Sequence, residues 1–152
     1  MDNPDHALHP IFILSSSLLI RQYHFVNQPL NWTEAQTYCR QKYTDLATIE
    51  NSEEINELIN TISSFGYSNY FWIGLYNEIN YRWSDGFTGS FTGNSYDYWT
   101  SQDSSHSRSD QFCMGVYWYP QNYWNHYWFD SSCSSLFPFV CNNGKTFTEN
   151  IR

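Results

Sequence analysis

Phe71-Trp72-Ile73-Gly74-Leu75-Tyr76 is the stretch from which the rest of the chain is read. A continuous apolar run of this length, rather than an alternating one, suits a strand buried on both faces. Upstream of it the apolar residues recur with helical spacing. Downstream they return as short strands separated by a long polar stretch. Helices early and strands late give an α+β layout with a mostly antiparallel sheet.

Upstream, Tyr23-His24-Phe25-Val26 reads as a strand. Asn31 precedes a segment in which Trp32, Ala35 and Cys39 share one helical face, so a helix is expected from about 32 to 42. Asn31 can cap it, with Glu34 completing a capping box. Asn31-Trp32-Thr33 is also a glycosylation sequon. A glycan would occupy the capping side chain, and the cap is the favoured reading. Leu46 to Ile49 reads as a short connector. A second helix is expected to start at a Ser52 cap, with Ile55, Leu58, Ile59 and Ile62 as its buried stripe and Glu53, Glu54 and Glu57 as a solvated face. Gly66 ends it.

Downstream, residues 84 to 110 are rich in Ser, Gly, Asp, Asn and Thr without helical period, and read as loop. Loops of that length in a compact domain are usually functional or disordered. Strands are expected at Phe112 to Tyr117, near Tyr127 to Phe129, and at Phe137 to Cys141.

The chain has 152 residues, which suits one domain with short tails. Aromatic residues are unusually frequent: 7 Trp, 13 Tyr and 11 Phe. Tyr and Trp carry an apolar ring and a polar handle, so they serve wet binding surfaces as well as cores. The formal net charge of −8 argues against nucleic acid and against an anionic membrane surface. It is compatible with cation binding.

Four cysteines, Cys39, Cys113, Cys133 and Cys141, in a small domain suggest disulfides and an oxidising, extracellular compartment. Four cysteines allow three pairings. A zinc site is the competing reading, disfavoured because no pair has the short spacing such sites use. Ile11 to Ile20 is apolar apart from three serines and too short to span a membrane. It has the length of a signal-peptide core, yet Asp2 and Asp5 precede it where Lys or Arg is usual. Residues 1–21 therefore read as a degraded signal-like or linker segment, 22–142 as the folded domain and 143–152 as a polar tail.

The residues quoted so far, taken in order, resemble a known family. Trp32-x-x-Ala35-x-x-Tyr38-Cys39, Asp45-Leu46-Ala47-Thr48-Ile49, Trp72-Ile73-Gly74-Leu75, Trp83-x-Asp85-Gly86, Cys113, Trp128-x-Asp130-x-x-Cys133 and Pro138-Phe139-Val140-Cys141 are similar in order and spacing to the C-type lectin-like domain. In style the chain is similar to short fish members. The resemblance implies two disulfides, Cys39 with Cys141 and Cys113 with Cys133. It also implies a ligand address: sugar-binding members hold a calcium ion in the long loop, and sugar hydroxyls coordinate it. Calcium takes six to eight oxygen ligands.

At that address the match weakens. The family's Glu-Pro-Asn or Gln-Pro-Asp triplet falls on Asp103-Ser104-Ser105, placed by Trp99 and Cys113. Its proline, cis in the family, is missing, and a cis bond before serine costs about 2.5–4 kcal/mol. The later loop Glu falls on Gln111, and Phe129 replaces the Asn of the Trp-Asn-Asp motif. Asp103 and Asp130 remain possible calcium ligands, with Ser105 and Gln111 as weaker neutral donors. A shifted reading, Gln102-Asp103-Ser104, breaks the spacing by one and ranks second. Against these roles stands the plain one: Asp beside serines commonly caps turns.

The second candidate surface is the aromatic stretch from Tyr117 to Trp128. Its rings are too many all to point inward, and a strand there turns alternate residues to solvent. Trp118 and Trp124, beside Gln121, Asn122 and Asn125, are candidates to stack on a sugar, with packing or a protein partner as the other readings. No catalytic motif is present: no His-Glu-x-x-His, no Gly-x-Ser-x-Gly and no glycine-rich phosphate loop. The expectation is an extracellular carbohydrate-binding lectin, not an enzyme, with a degenerate calcium site. The alternative is a lectin-like module that binds protein without sugar.

Overall fold

The computed structural model describes residues 18–77, 81–88, 112–121 and 126–148. Within them the elements run β1 (Leu18–Ile20), β2 (Tyr23–Leu30), α1 (Trp32–Lys42), β3 (Asp45–Leu46), α2 (Ser52–Ser64), β4 (Asn69–Asn77), β5 (Tyr81–Trp83), β6 (Phe112–Trp118), β7 (His126–Ser132), β8 (Phe137–Asn142) and β9 (Thr146–Thr148). The α+β expectation holds.

Both helices start on asparagine. The Asn31 side chain accepts from the Glu34 N–H at 2.9 Å, and Glu34 accepts in return from the Asn31 N–H at 3.3 Å. Two otherwise unpaired donors of the first turn are thereby satisfied. The oxygen of the sequon's asparagine is used by this cap. The cap of α2 is Asn51, not Ser52: its side chain accepts from the Glu54 N–H at 2.9 Å. Asn51 is extended, as a cap must be, whereas Ser52 is already helical. The stripe of Ile55, Leu58, Ile59 and Ile62 is buried as expected. Gly66, with φ +68°, takes the left-handed conformation that closes the helix.

The main sheet has seven strands in the order β2-β8-β4-β6-β7, with β3 also on β8 and β5 also on β4. Among the described residues β4 and β8 pair in parallel, through Trp72 and Phe139, and the other pairings of this sheet are antiparallel. Phe71 through Leu75 are all buried, which is the two-sided burial read from the sequence. One face of β4 gives Phe71, Ile73 and Leu75 to a core shared with α2, Met114, Val116, Trp118 and Trp128. The other gives Trp72 to a core shared with Trp32, Ala35 and Cys39 of α1, and with Phe129 and Phe139. Gly115 lets the layers close: a Cβ there would lie 2.4 Å from the Phe71 carbonyl oxygen and 2.5 Å from the Phe129 ring.

The disulfides are Cys39–Cys141 and Cys113–Cys133, with Cα atoms 5.3 Å and 5.0 Å apart. The first ties α1 to β8, and the second ties β6 to the end of β7.

Strand β1 pairs antiparallel with β9, Leu18 opposite Thr148 and Ile20 opposite Thr146. Both strands come from segments read as flanking the domain. A buried ion cluster holds them on. Arg21, 6% exposed, donates to both carboxylate oxygens of Glu54 at 3.0 Å and to Glu50 at 3.1 Å. Lys145 also pairs with Glu50. Glu54 therefore leaves the solvated face expected of it, while Glu53 and Glu57 remain there. Tyr23, beside Glu54, is buried, and that burial together with the neighbouring carboxylate pushes its phenol pKa up. The buried guanidinium explains the turn of Glu54: a charge taken from water needs a partner.

Candidate functional site

Strands β6 and β7 form an antiparallel ribbon at one side of the sheet, in register from Phe112–Ser132 to Trp118–His126. Alternation along each strand sorts the aromatic stretch onto two faces. One face carries Met114, Val116 and Trp118 from β6, with His126, Trp128 and Asp130 from β7. Trp83 meets Trp128 edge-on at 6.2 Å, and Phe87 packs on the same core, so the segment leading toward the long loop starts on this side. The opposite face carries Tyr117 and, just past the strand, Tyr119, with Tyr127 and Phe129 across from them.

On the loop side, Asp130 is 8% exposed, opposite Met114, and engaged in interactions within the fold. Trp118 is 6% exposed and lies in the core with Phe71, Met114 and Trp128. Its ring supports the ribbon from beneath and is not laid open to a ligand. His126 is half-buried, and the loss of hydration lowers its pKa below the ordinary histidine value. Asp103, Ser105, Gln111 and Trp124 lie outside the described residues.

The donor set on this side can be tested against calcium. The ion takes six to eight oxygens, several of them carboxylate. On β7 the position of the motif's Asn is Phe129, which has no side-chain oxygen. It also faces away, packed at 4.7 Å on Tyr70, 5.4 Å on Phe137 and 6.0 Å on Trp72. Among the described residues no group of three His, Cys, Asp or Glu is placed to hold a metal. Asp130 alone does not make a calcium site, so the described donors do not fit the ion.

On the other face the rings form an open ladder. Tyr117 lies 6.4 Å from Tyr119 at 12° and 6.4 Å from Tyr127 at 23°. Tyr70, 40% exposed, packs at 4.6 Å on Tyr117. The sequence reading passed over Tyr70. It lies one residue before the apolar run Phe71–Tyr76, and the signal that marks it is its even spacing with Trp72, on the same face.

Three comparisons bear on this arrangement. The family model described as "Lectin C-type domain" matches residues 28–143. L-selectin of Mus musculus is 33% identical over 95 residues, which is 62% of this chain but 25% of that protein. This chain thus spans about a quarter of that relative's length. Among solved structures, human lithostathine superposes with a TM-score of 0.66 at 22% identity, covering 82% of this chain and 83% of that one. SPL-1 in its GlcNAc complex gives 0.61 at 27% identity, covering 81% and 87%.

Proposed function

This chain belongs to the C-type lectin domain family, and from that premise we propose that it is a secreted lectin that binds carbohydrate on the loop side of its sheet with little or no dependence on calcium. The observation that carries the calcium part is Phe129. It removes an oxygen donor from β7 and turns the strand's middle side chain into the opposite core. The carbohydrate part is supported by the family and by SPL-1, a fold neighbour at 27% identity whose structure holds GlcNAc.

In this reading Asp103, Ser105, Gln111 and Asp130 take sugar hydroxyls by direct hydrogen bonds. Carboxylates accept them strongly, as charge-assisted bonds do. Trp124 supplies a ring for the C–H face of the sugar, and Trp118 holds the ribbon in shape beneath it. The two disulfides suit an oxidising compartment, which supports secretion. In this reading binding, and not bond-making chemistry, is the function. No helix among the described residues is long and apolar enough to cross a membrane.

A glycan array probed with the whole chain tests the proposal. Saturable binding that free sugar competes away, weakened at least tenfold by Asp103→Ala, is expected. Binding to a protein partner with no competable glycan on the array would replace it with a protein-recognition role.

A further inference from the structure

The tyrosine ladder and the loop side occupy opposite faces of the β6–β7 ribbon, so they are two surfaces and not one site. We propose that Tyr70, Tyr117, Tyr119 and Tyr127 form a second, metal-independent binding site for an uncharged oligosaccharide. This rests on the lectin reading for the class of ligand and on the following chemistry for the site.

Nearly parallel rings whose centroids are 6.4 Å apart are offset and do not cover one another fully. Part of each ring therefore stays open, in keeping with the half-burial of Tyr117, Tyr119 and Tyr127. The underlying layer fixes them. Phe129 and Phe137 pack on Tyr70 at 4.7 Å and 5.8 Å. The Tyr67 hydroxyl donates to the Tyr70 carbonyl at 2.7 Å and holds the backbone at the edge of the patch. Each ring carries a hydroxyl at its rim. Tyr119 donates to the Gln121 side-chain oxygen at 3.1 Å, which leaves the exposed amide's two N–H groups to donate outward.

Charge selects the ligand. Residues 65–77, 112–121 and 126–142 contain no Lys or Arg, and their one acidic residue, Asp130, faces the loop side. With a net charge of −8 on the chain and no Lys or Arg in these described segments, an anionic glycan finds no partner among them. Flat rings with polar rims and a free amide suit a neutral sugar chain, whose C–H faces stack while its hydroxyls hydrogen-bond. A protein surface would more often bring charge to such a patch, where the described segments have none on this face to meet it.

The test uses the whole chain in chelator, titrated by calorimetry with two probes: tetraoses of β-1,4-linked glucose and of β-1,4-linked N-acetylglucosamine. The expected result is saturable binding of at least one. A Tyr70→Ser, Tyr117→Ser double variant should weaken it at least tenfold, and Glu53→Ala, on the solvated face of α2 and in neither surface, should leave it unchanged. Tyr119→Ser, one residue past the end of β6, gives the same readout if the double variant loses its melting transition. No binding of either probe in chelator overturns the proposal. Binding that falls with Asp103→Ala but survives the tyrosine variants also overturns it, and leaves the loop-side reading intact. Tyrosine-dependent self-association in place of sugar binding would overturn it too and assign the face to a second copy.

Discussion

Gly115 sits where the two core layers come closest, between the Phe71 carbonyl and the Phe129 ring. Gly115→Ala must push backbone or a buried aromatic aside. Overpacking of this kind typically costs about 1–3 kcal/mol, so a lower chemical-denaturation midpoint is expected, and an unchanged midpoint would mean the layers have slack. Arg21 presents the opposite problem, a charge whose removal leaves others exposed to a dry interior. Arg21→Met leaves the buried Glu54 carboxylate with hydrogen bonds from the Tyr23 hydroxyl and the Glu50 N–H but without its counter-charge, and breaking a buried pair costs about 3–5 kcal/mol. Denaturant titration would read it, and a loss well under 1 kcal/mol would show that water reaches the cluster. Neither residue is visible as critical in the sequence. The family likeness shows that Phe129 stands where an Asn is usual, but not that the ring joins Tyr70, Trp72 and Phe137. Arg21 reads as linker because its partners, Glu50, Glu54 and Asp85, are scattered along the chain.

At the scale of elements, local signals were dependable where the physics is local. The Asn31–Glu34 capping box and the Ile55–Ile62 stripe place both helices, since caps and amphipathic faces act within one or two turns. The α2 start slips by one residue because Asn51 and Ser52 are both competent caps. The aromatic stretch is legible as a surface candidate, but its division between two faces depends on the β6–β7 register. That register is set by a partner strand and not by the stretch itself. The disulfides act at this scale too. In the chain-entropy model, removing Cys113–Cys133 by paired alanines costs about 3 kcal/mol and removing Cys39–Cys141 between roughly 4 and 5, because the bridges close 20 and 102 positions. Melts of the two variants should fall in that order. The reverse order would mean that strain or residual structure outweighs loop closure.

Among the described residues, the two segments that flank the domain meet. Pairing of β1 with β9 and the Arg21–Glu50–Lys145 contacts bring the two terminal segments together against the domain. Acid should loosen the fold in two stages. Burial lowers the pKa of His126 and His24 in the fold, so the unfolded chain takes up protons first and stability falls as pH drops through the ordinary histidine range near about 6.5. The hydrogen bond from Lys145, with further help from Arg21, lowers that of Glu50. Its contribution is present above the ordinary glutamate range and is lost as pH falls below it. The melting temperature should therefore decline from neutral pH toward 5 and again below 4; a rise on acidification would show that other groups dominate. The family and the fold were legible from seven motifs in register, whereas the ligand was not, because the side chains proposed to take sugar hydroxyls, Asp103 to Gln111, look the same as turn residues in a sequence. The most direct measurement is the dissociation constant of the loop-side sugar in excess calcium and again in chelator. Values within about threefold of each other, roughly 0.65 kcal/mol, are expected. A hundredfold loss in chelator would mean that calcium holds the sugar after all.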